Sequence, residues 1–215
     1  MLRLHFHPLS SFCWKVLIPL YENETSFEPV LVDLGDEASR AAFLKVWPIG
    51  KFPVLEDTGR GEIVPESTII IDYLDQYYPG STRFTPTDPE LAWRTRLWDR
   101  FFDLRVHEQM QRIVADRNRS ADQKDPFGVA LARQQLVTAY AVLEREAAGR
   151  TWFSGDEFGL ADCAATPALY YANRVQPLGP EHASVRAYLD RLMARPAFTR
   201  VFEEAGPYLQ FFPED

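Results

Sequence analysis

The sequence predicts a mixed α/β half, ordered β-α-β-α-β-β-α, followed by an all-α helical half. Three observations carry that reading. Strand-like and helix-period segments alternate over residues 1–79, a Pro-, Ser- and Thr-rich stretch "PGSTRFTPTDPE" interrupts them, and nothing after it reads as a strand. The expected division is an N-terminal domain at 1–79, a linker at 80–89 and a helical domain at 90–215.

In order, "LRLHF" alternates apolar and polar side chains as a half-buried strand does. "CWKVLIPLYEN" carries Val16, Leu17 and Leu20 at helical spacing, and Pro19 is expected to kink or shorten that helix by removing a hydrogen bond. "SFEPVLVDL" reads as a second strand and "DEASRAAFLKVW" as a short helix ended by Pro48 and Gly50. "KFPVLED" and "GEIV" flank the turn-rich "DTGRG" as a hairpin. "ESTIIIDYLDQYYPG" then supplies a helix with Ile70, Tyr73, Leu74 and Tyr77 on one face.

Beyond the linker, Thr87 and Glu90 are spaced as a capping box for a long helix whose apolar face is Leu91, Trp98, Phe102, Val106 and Ile113. "ADRNRSADQKD" breaks it, and Leu136, Tyr140, Leu143 and Ala147 mark the next helix. "LADCAATPALYYANRV" is small and apolar nearly all round, as a helix at the centre of a bundle must be. "SVRAYLDRLMARPAF" gives one more helix before a tail ending in "YLQFFPED".

A chain of 215 residues with 46% hydrophobic side chains suits two small domains and can fill their cores. A net charge of −8 repels phosphate backbones and anionic lipid, so nucleic acid and membrane are not expected partners. No apolar run approaches the roughly 18 residues of a membrane span. The N-terminus lacks the layout of a secretion signal, so the expected location is the cytoplasm. The two cysteines, Cys13 and Cys163, read as free thiols, and the four histidines show no metal-ligand spacing, so no metal is expected.

The element order, together with "SSFCWKV", "GKFPVLED", "ESTIIIDYL", "FSGDEFGLADCAA" and "YLDRLMARPAF", resembles the cytosolic glutathione transferases of the serine type, theta-, zeta- or tau-like. The resemblance spans nearly the whole chain. It implies a thioredoxin-like N-terminal domain, a homodimer, and glutathione as co-substrate for conjugation to an apolar electrophile. It also implies site residues: Ser67 for the γ-glutamyl carboxylate, Glu66 for the ammonium, Lys51 for the glycine carboxylate, and a cis-Pro53 that presents the backbone of Phe52 to the cysteinyl unit. Ser67 at a helix N-terminus has its own physical logic, since free N–H groups and the helix dipole favour an anion there.

Activation of the glutathione thiol needs a donor that stabilises a thiolate, and a hydroxyl at a helix N-terminus meets that need. Matching Lys15-Val16 to the basic-then-valine pair of the serine classes puts Ser10 in the catalytic position, with Ser11 the alternative one residue on. The tyrosine route is absent because Phe6 ends the first strand. Cys13, about one helical turn further, leaves a thiol oxidoreductase open. Phe12 stands where zeta-type isomerases carry a cysteine, so that reading stays open with one residue missing. A noncatalytic glutathione-binding scaffold is the third reading. Phe12, Phe102, Arg105, Met110, Phe211 and Phe212 are expected to line the electrophile pocket, with Arg105 as an anion anchor. Two departures from the family pattern stand out: Trp47-Pro48 replaces an Asn-Pro, and Gly159 replaces a Ser or Thr that caps the buried helix, leaving Asp162 as its structural partner.

Overall fold

The computed structural model describes residues 1–214. Its first half runs β1 (Leu2–Phe6), α1 (Ser11–Glu22), β2 (Glu28–Leu31), α2 (Glu37–Val46), β3 (Val54–Asp57), β4 (Glu62–Pro65) and α3 (Ser67–Tyr77). The sheet order is β2-β1-β3-β4, with β2 parallel to β1 and the other neighbours antiparallel. His5 sits opposite Val54, and Val54 opposite Pro65. As a result β1 ends, β3 begins and β4 ends at one edge of the sheet. The second half is helical: α4 (Pro89–Phe101), α5 (Glu108–Arg117), α6 (Pro126–Ala147), α7 (Leu160–Val175), α8 (Ala183–Met193) and α9 (Pro196–Ala205), with a π turn at Phe102–His107 and a closing 3-10 turn at Gly206–Phe211.

Several elements depart from the sequence-based expectation for identifiable reasons. β2 is four residues long and lies at the sheet edge, where Pro29 is tolerated. α1 continues through Pro19 to Glu22. The cap of α4 is Asp88, whose Oδ1 accepts from Leu91 N at 2.9 Å, so the Thr87–Glu90 box does not form. Pro89 at the first helical position moves the start one residue along. The final helical segment is two helices, because Pro196 disfavours a helical Arg195 and begins α9 instead. Tyr77 is exposed beneath the Arg60 guanidinium, and Ile71 takes its expected place in the core. Leu91 is exposed, whereas Trp98, Phe102, Val106 and Ile113 are buried as a face.

One continuous apolar core joins the halves, running from Leu4, Trp14 and Leu55 to Phe102, Tyr140, Leu169 and Leu189. α1 packs on both α7 and α9. The segment between α3 and α4 is stitched to both sides. Asn23 bonds both backbone groups of Thr82, Asp75 accepts from Phe84 N and Thr85 N, and Phe84 O accepts from Leu160 N.

The start of α7 explains Gly159. A Cβ there would stand 2.6 Å from Phe84 O and 2.8 Å from Ser154 Cβ, so only glycine fits. The missing capping hydroxyl comes from Ser154, whose Oγ accepts from Ala161 N at 3.1 Å. Asp162 accepts from the N–H groups of Phe153 and Gly159 and from the Tyr188 hydroxyl.

Lys15 is 1% exposed, yet its Nζ lies 2.6 Å from Asp99, 2.8 Å from Asp103 and 2.9 Å from Thr68 Oγ1. Burial pushes the Asp99 carboxyl up, opposed first by the Lys15 charge. This set ties α1, α3, α4 and the π turn together. Removing the cation leaves the fully buried Asp99 with no cation nearer than 4.0 Å and Asp103 with Arg100 alone. Lys15→Met is expected to cost about 3–5 kcal/mol of unfolding free energy in urea denaturation. Adding Asp99→Asn and Asp103→Asn should recover part of it.

Candidate active site

Where β1 runs out, residues His7 to Ser10 cross to α1, and the two halves of the chain hold this loop by its backbone. Pro8 O accepts from Trp14 Nε1 at 2.6 Å, Leu9 O from the Tyr171 hydroxyl at 3.0 Å, and His7 O from Ser10 N at 3.0 Å. Ser10 is the N-cap of α1, with extended backbone, and its Oγ accepts from Cys13 N at 3.3 Å. That bond uses the oxygen and leaves the hydroxyl proton free to donate elsewhere.

Ser11 opens α1, and its Oγ meets Nε2 of His107 from the π turn. Burial, reinforced by the Lys15 charge and opposed by Glu108, lowers the His107 pKa to about 4, so the ring is neutral near pH 7. The Phe12 ring packs on it with centroids 4.1 Å apart. His7 is likewise held low by burial, against the pull of Asp33, and it stacks on Phe52.

These residues open onto a cavity of about 640 Å³. Ser10, Ser11, Phe12, Lys51, Phe52 and Met110 line it, and the tail closes it with Phe211, Phe212 and Pro213. His7, His107, Gln111, Asn118 and Tyr171 line it as well, none of them singled out by the sequence. The Phe52–Pro53 peptide is cis. Through the Val54–Pro65 pairing it lies at the sheet edge beside Glu66 and Ser67. Those two residues border the sheet edge rather than the cavity wall. Glu66 has φ +69, a left-handed conformation costly for a side-chain-bearing residue, and such conformations gather at binding sites. Ser67 is the first residue of α3, where backbone N–H groups lack helical partners.

Three sequence candidates lie elsewhere. Phe102 is wholly buried, edge-on to Phe153 at 5.3 Å, and belongs to the core. Arg105 lines a separate cleft of about 230 Å³ with Phe101, Gln109 and Val142. Phe102 thus keeps the helical face it shares with Trp98 and Val106, and Arg105 lies in the π turn. Cys13 is buried, and desolvation pushes its thiol up to about 12, so it stays protonated near pH 7 and the hydrogen bond that the Ser10 hydroxyl would give a Cys13 thiolate is not called on. Among the described residues no cluster of His, Cys, Asp and Glu is arranged to hold a metal, and no helix is long and apolar enough to cross a membrane.

The family model described as "Glutathione S-transferase, N-terminal domain" matches residues 4–82, and the corresponding C-terminal domain model matches residues 109–204. The chain belongs to the glutathione S-transferase family. Among curated relatives of this family member, glutathione S-transferase GstB of Escherichia coli K12 is 28% identical over 87% of this chain and 90% of its own. A stringent starvation protein A homolog of Haemophilus influenzae is 25% identical over 91% and 87%. A glutathione S-transferase from Methylobacterium radiotolerans, solved in complex with glutathione sulfonate, superposes with a TM-score of 0.80 at 27% identity over 93% of each chain. A glutathione transferase URE2P8 from Phanerochaete chrysosporium, solved with oxidised glutathione, has the same fold, with a TM-score of 0.86 at 21% identity over 97% of this chain and 96% of its own.

Burial sets the reactivity of both thiols in this family member, since Cys163 is also held well above its ordinary value by desolvation. Native protein at neutral pH is therefore expected to take up no iodoacetamide, and denatured protein two equivalents, counted by intact mass. Rapid native labelling of Cys13 would contradict this.

Proposed function

We propose that the protein is a glutathione transferase in which Ser10 stabilises the glutathione thiolate for attack on an apolar electrophile. The observation that carries this is the Ser10 hydroxyl: its oxygen is occupied by Cys13 N, its proton is free, and it stands at the N-terminus of α1 on the cavity wall. A donor so placed, with the helix dipole behind it, lowers the cost of a sulfur anion.

Glutathione lies along the sheet edge in this reading. Lys51 takes the glycine carboxylate, the Phe52 backbone pairs with the cysteinyl unit beside Pro53, and Glu66 and Ser67 at the start of α3 take the γ-glutamyl end. The thiol proton leaves to water. The sulfur lone pair forms the new C–S bond; in a substitution the displaced pair departs with the leaving group, and in an addition the π-bond pair moves onto the electrophile's activating group, which takes a proton from water. Phe12, Met110, Phe211 and Phe212 offer the electrophile an apolar wall, and Arg105 has no part in it.

Burial of Cys13 weighs against a thiol oxidoreductase, which needs an accessible thiolate. A zeta-type isomerase would return glutathione unchanged, and a scaffold would bind it without turnover. Ser10→Ala is expected to lower kcat/KM roughly ten- to a hundredfold and to abolish the ultraviolet thiolate signal at neutral pH. Unchanged turnover in this variant, or glutathione recovered with no conjugate, would refute the proposal.

The outer side of α4 exposes Trp93 and Leu97, each about half accessible, and the family resemblance makes a second copy the natural cover. The protein is expected to run as a dimer in light scattering, and Leu97→Glu to shift it toward monomer.

A further inference from the structure

Ser11 is the polar group at the start of α1 to which the mechanism above gives no role. Its hydroxyl is buried, lines the cavity and meets His107, which comes from the other half of the chain. The hydrogen between them has two possible owners. If Ser11 donates, its only proton points into the protein and its lone pairs face the cavity, where they repel a sulfur anion. If His107 donates, Oγ is occupied and the hydroxyl proton turns toward the cavity.

Two observations favour the second arrangement. The imidazole is buried against Phe12, and burial keeps it neutral, so it carries a single N–H; the Ser11 hydroxyl is the partner the structure gives the ring, and a buried N–H left without an acceptor is costly. The pattern also repeats that of Ser10, whose oxygen is filled by an N–H and whose proton is free.

We propose that His107 is a positioning residue that donates its Nε2 proton to Ser11 Oγ, so that Ser10 and Ser11 together donate to the glutathione thiolate. The inference rests on the cavity binding glutathione as proposed above. It assigns each serine an anchoring donor, one from the first turn of α1 and one from the helical half. It also makes the helical half part of the thiol site, through a contact that the π turn creates.

The test combines wild-type NMR with variants of the full chain. Nitrogen-15 spectra of the imidazole with glutathione bound are expected to place the proton on Nε2, and a proton on Nδ1 overturns the proposal. Ser11→Ala and His107→Leu should each raise the thiolate midpoint by about one pH unit and lower kcat/KM about tenfold. His107→Gln keeps an amide N–H and should restore most of the loss seen in His107→Leu. Affinity for S-methylglutathione, which has no thiol proton, should match wild type in all three. A His107→Leu protein that loses S-methylglutathione affinity in step with its thiolate marks a purely structural role and overturns the proposal. If that variant does not fold, an unshifted midpoint in Ser11→Ala overturns it equally. Failure of wild type to bind S-methylglutathione would instead defeat the glutathione reading itself.

Discussion

Everything near the cavity depends on one ammonium group out of water. Lys15 Nζ has three oxygen partners within 2.9 Å, contributed by α3, α4 and the π turn. A buried cation with a missing partner is expensive, so the geometry of four segments is constrained together. Lys15 lies four residues after Ser11, and its partner Thr68 immediately follows Ser67. The bond set that satisfies the charge therefore also fixes the spacing between the two helix starts at the proposed glutathione site. The Trp14 and Tyr171 bonds to the Pro8 and Leu9 carbonyls complete the constraint from the loop side.

A protein of net charge −8 is a poor collector of anions, and glutathione is one. The site reconciles these facts locally. Two helix N-termini, α1 and α3, converge on one sheet edge, and Lys51 is the cationic side chain on the cavity wall. Helix-end potential acts mainly within the first turn, so it favours a bound anion there without attracting anions to the surface at large. The histidines on the wall do not add to it, since burial holds both His7 and His107 below their ordinary values.

Much of this arrangement is legible in the sequence because it rests on local signals. Val16, Leu17 and Leu20 mark the buried face of α1, the all-apolar run from Leu160 marks the central helix, and the order of strands and helices gives the fold. Ser10, Lys51 and Phe52 follow from motif position and reach one cavity. What failed to read through was set by packing or by backbone departures. Asp88 displaced Thr87 as a cap because Pro89 fixed where the helix begins. Arg105 was expected in the cavity as an anion anchor on the long helix, and it lines a separate cleft instead. Gly159 looked like a lost cap because Ser154, which replaces it, comes from outside the helix. His107 carries no local signal at all, since its contact with Ser11 exists only once residues 96 apart are brought together.

The π turn connects these points. On a regular helix each four-residue step drifts by about 40°, so Asp99, Asp103 and His107 would spiral away from one another. The wider turn holds them on one side, where Asp99 and Asp103 meet Lys15 and His107 meets Ser11. Lys15 then acts twice. As a cation it satisfies the two carboxylates and so pins α1, and as a positive neighbour it adds to the burial that makes the His107 imidazole reluctant to take a second proton. A neutral ring has a single N–H to place, and a protonated one would have added a charge to a buried wall. The same ion that orders the helices therefore adds to the burial that keeps His107 neutral, so that helix packing and the charge of the cavity wall are set at one junction.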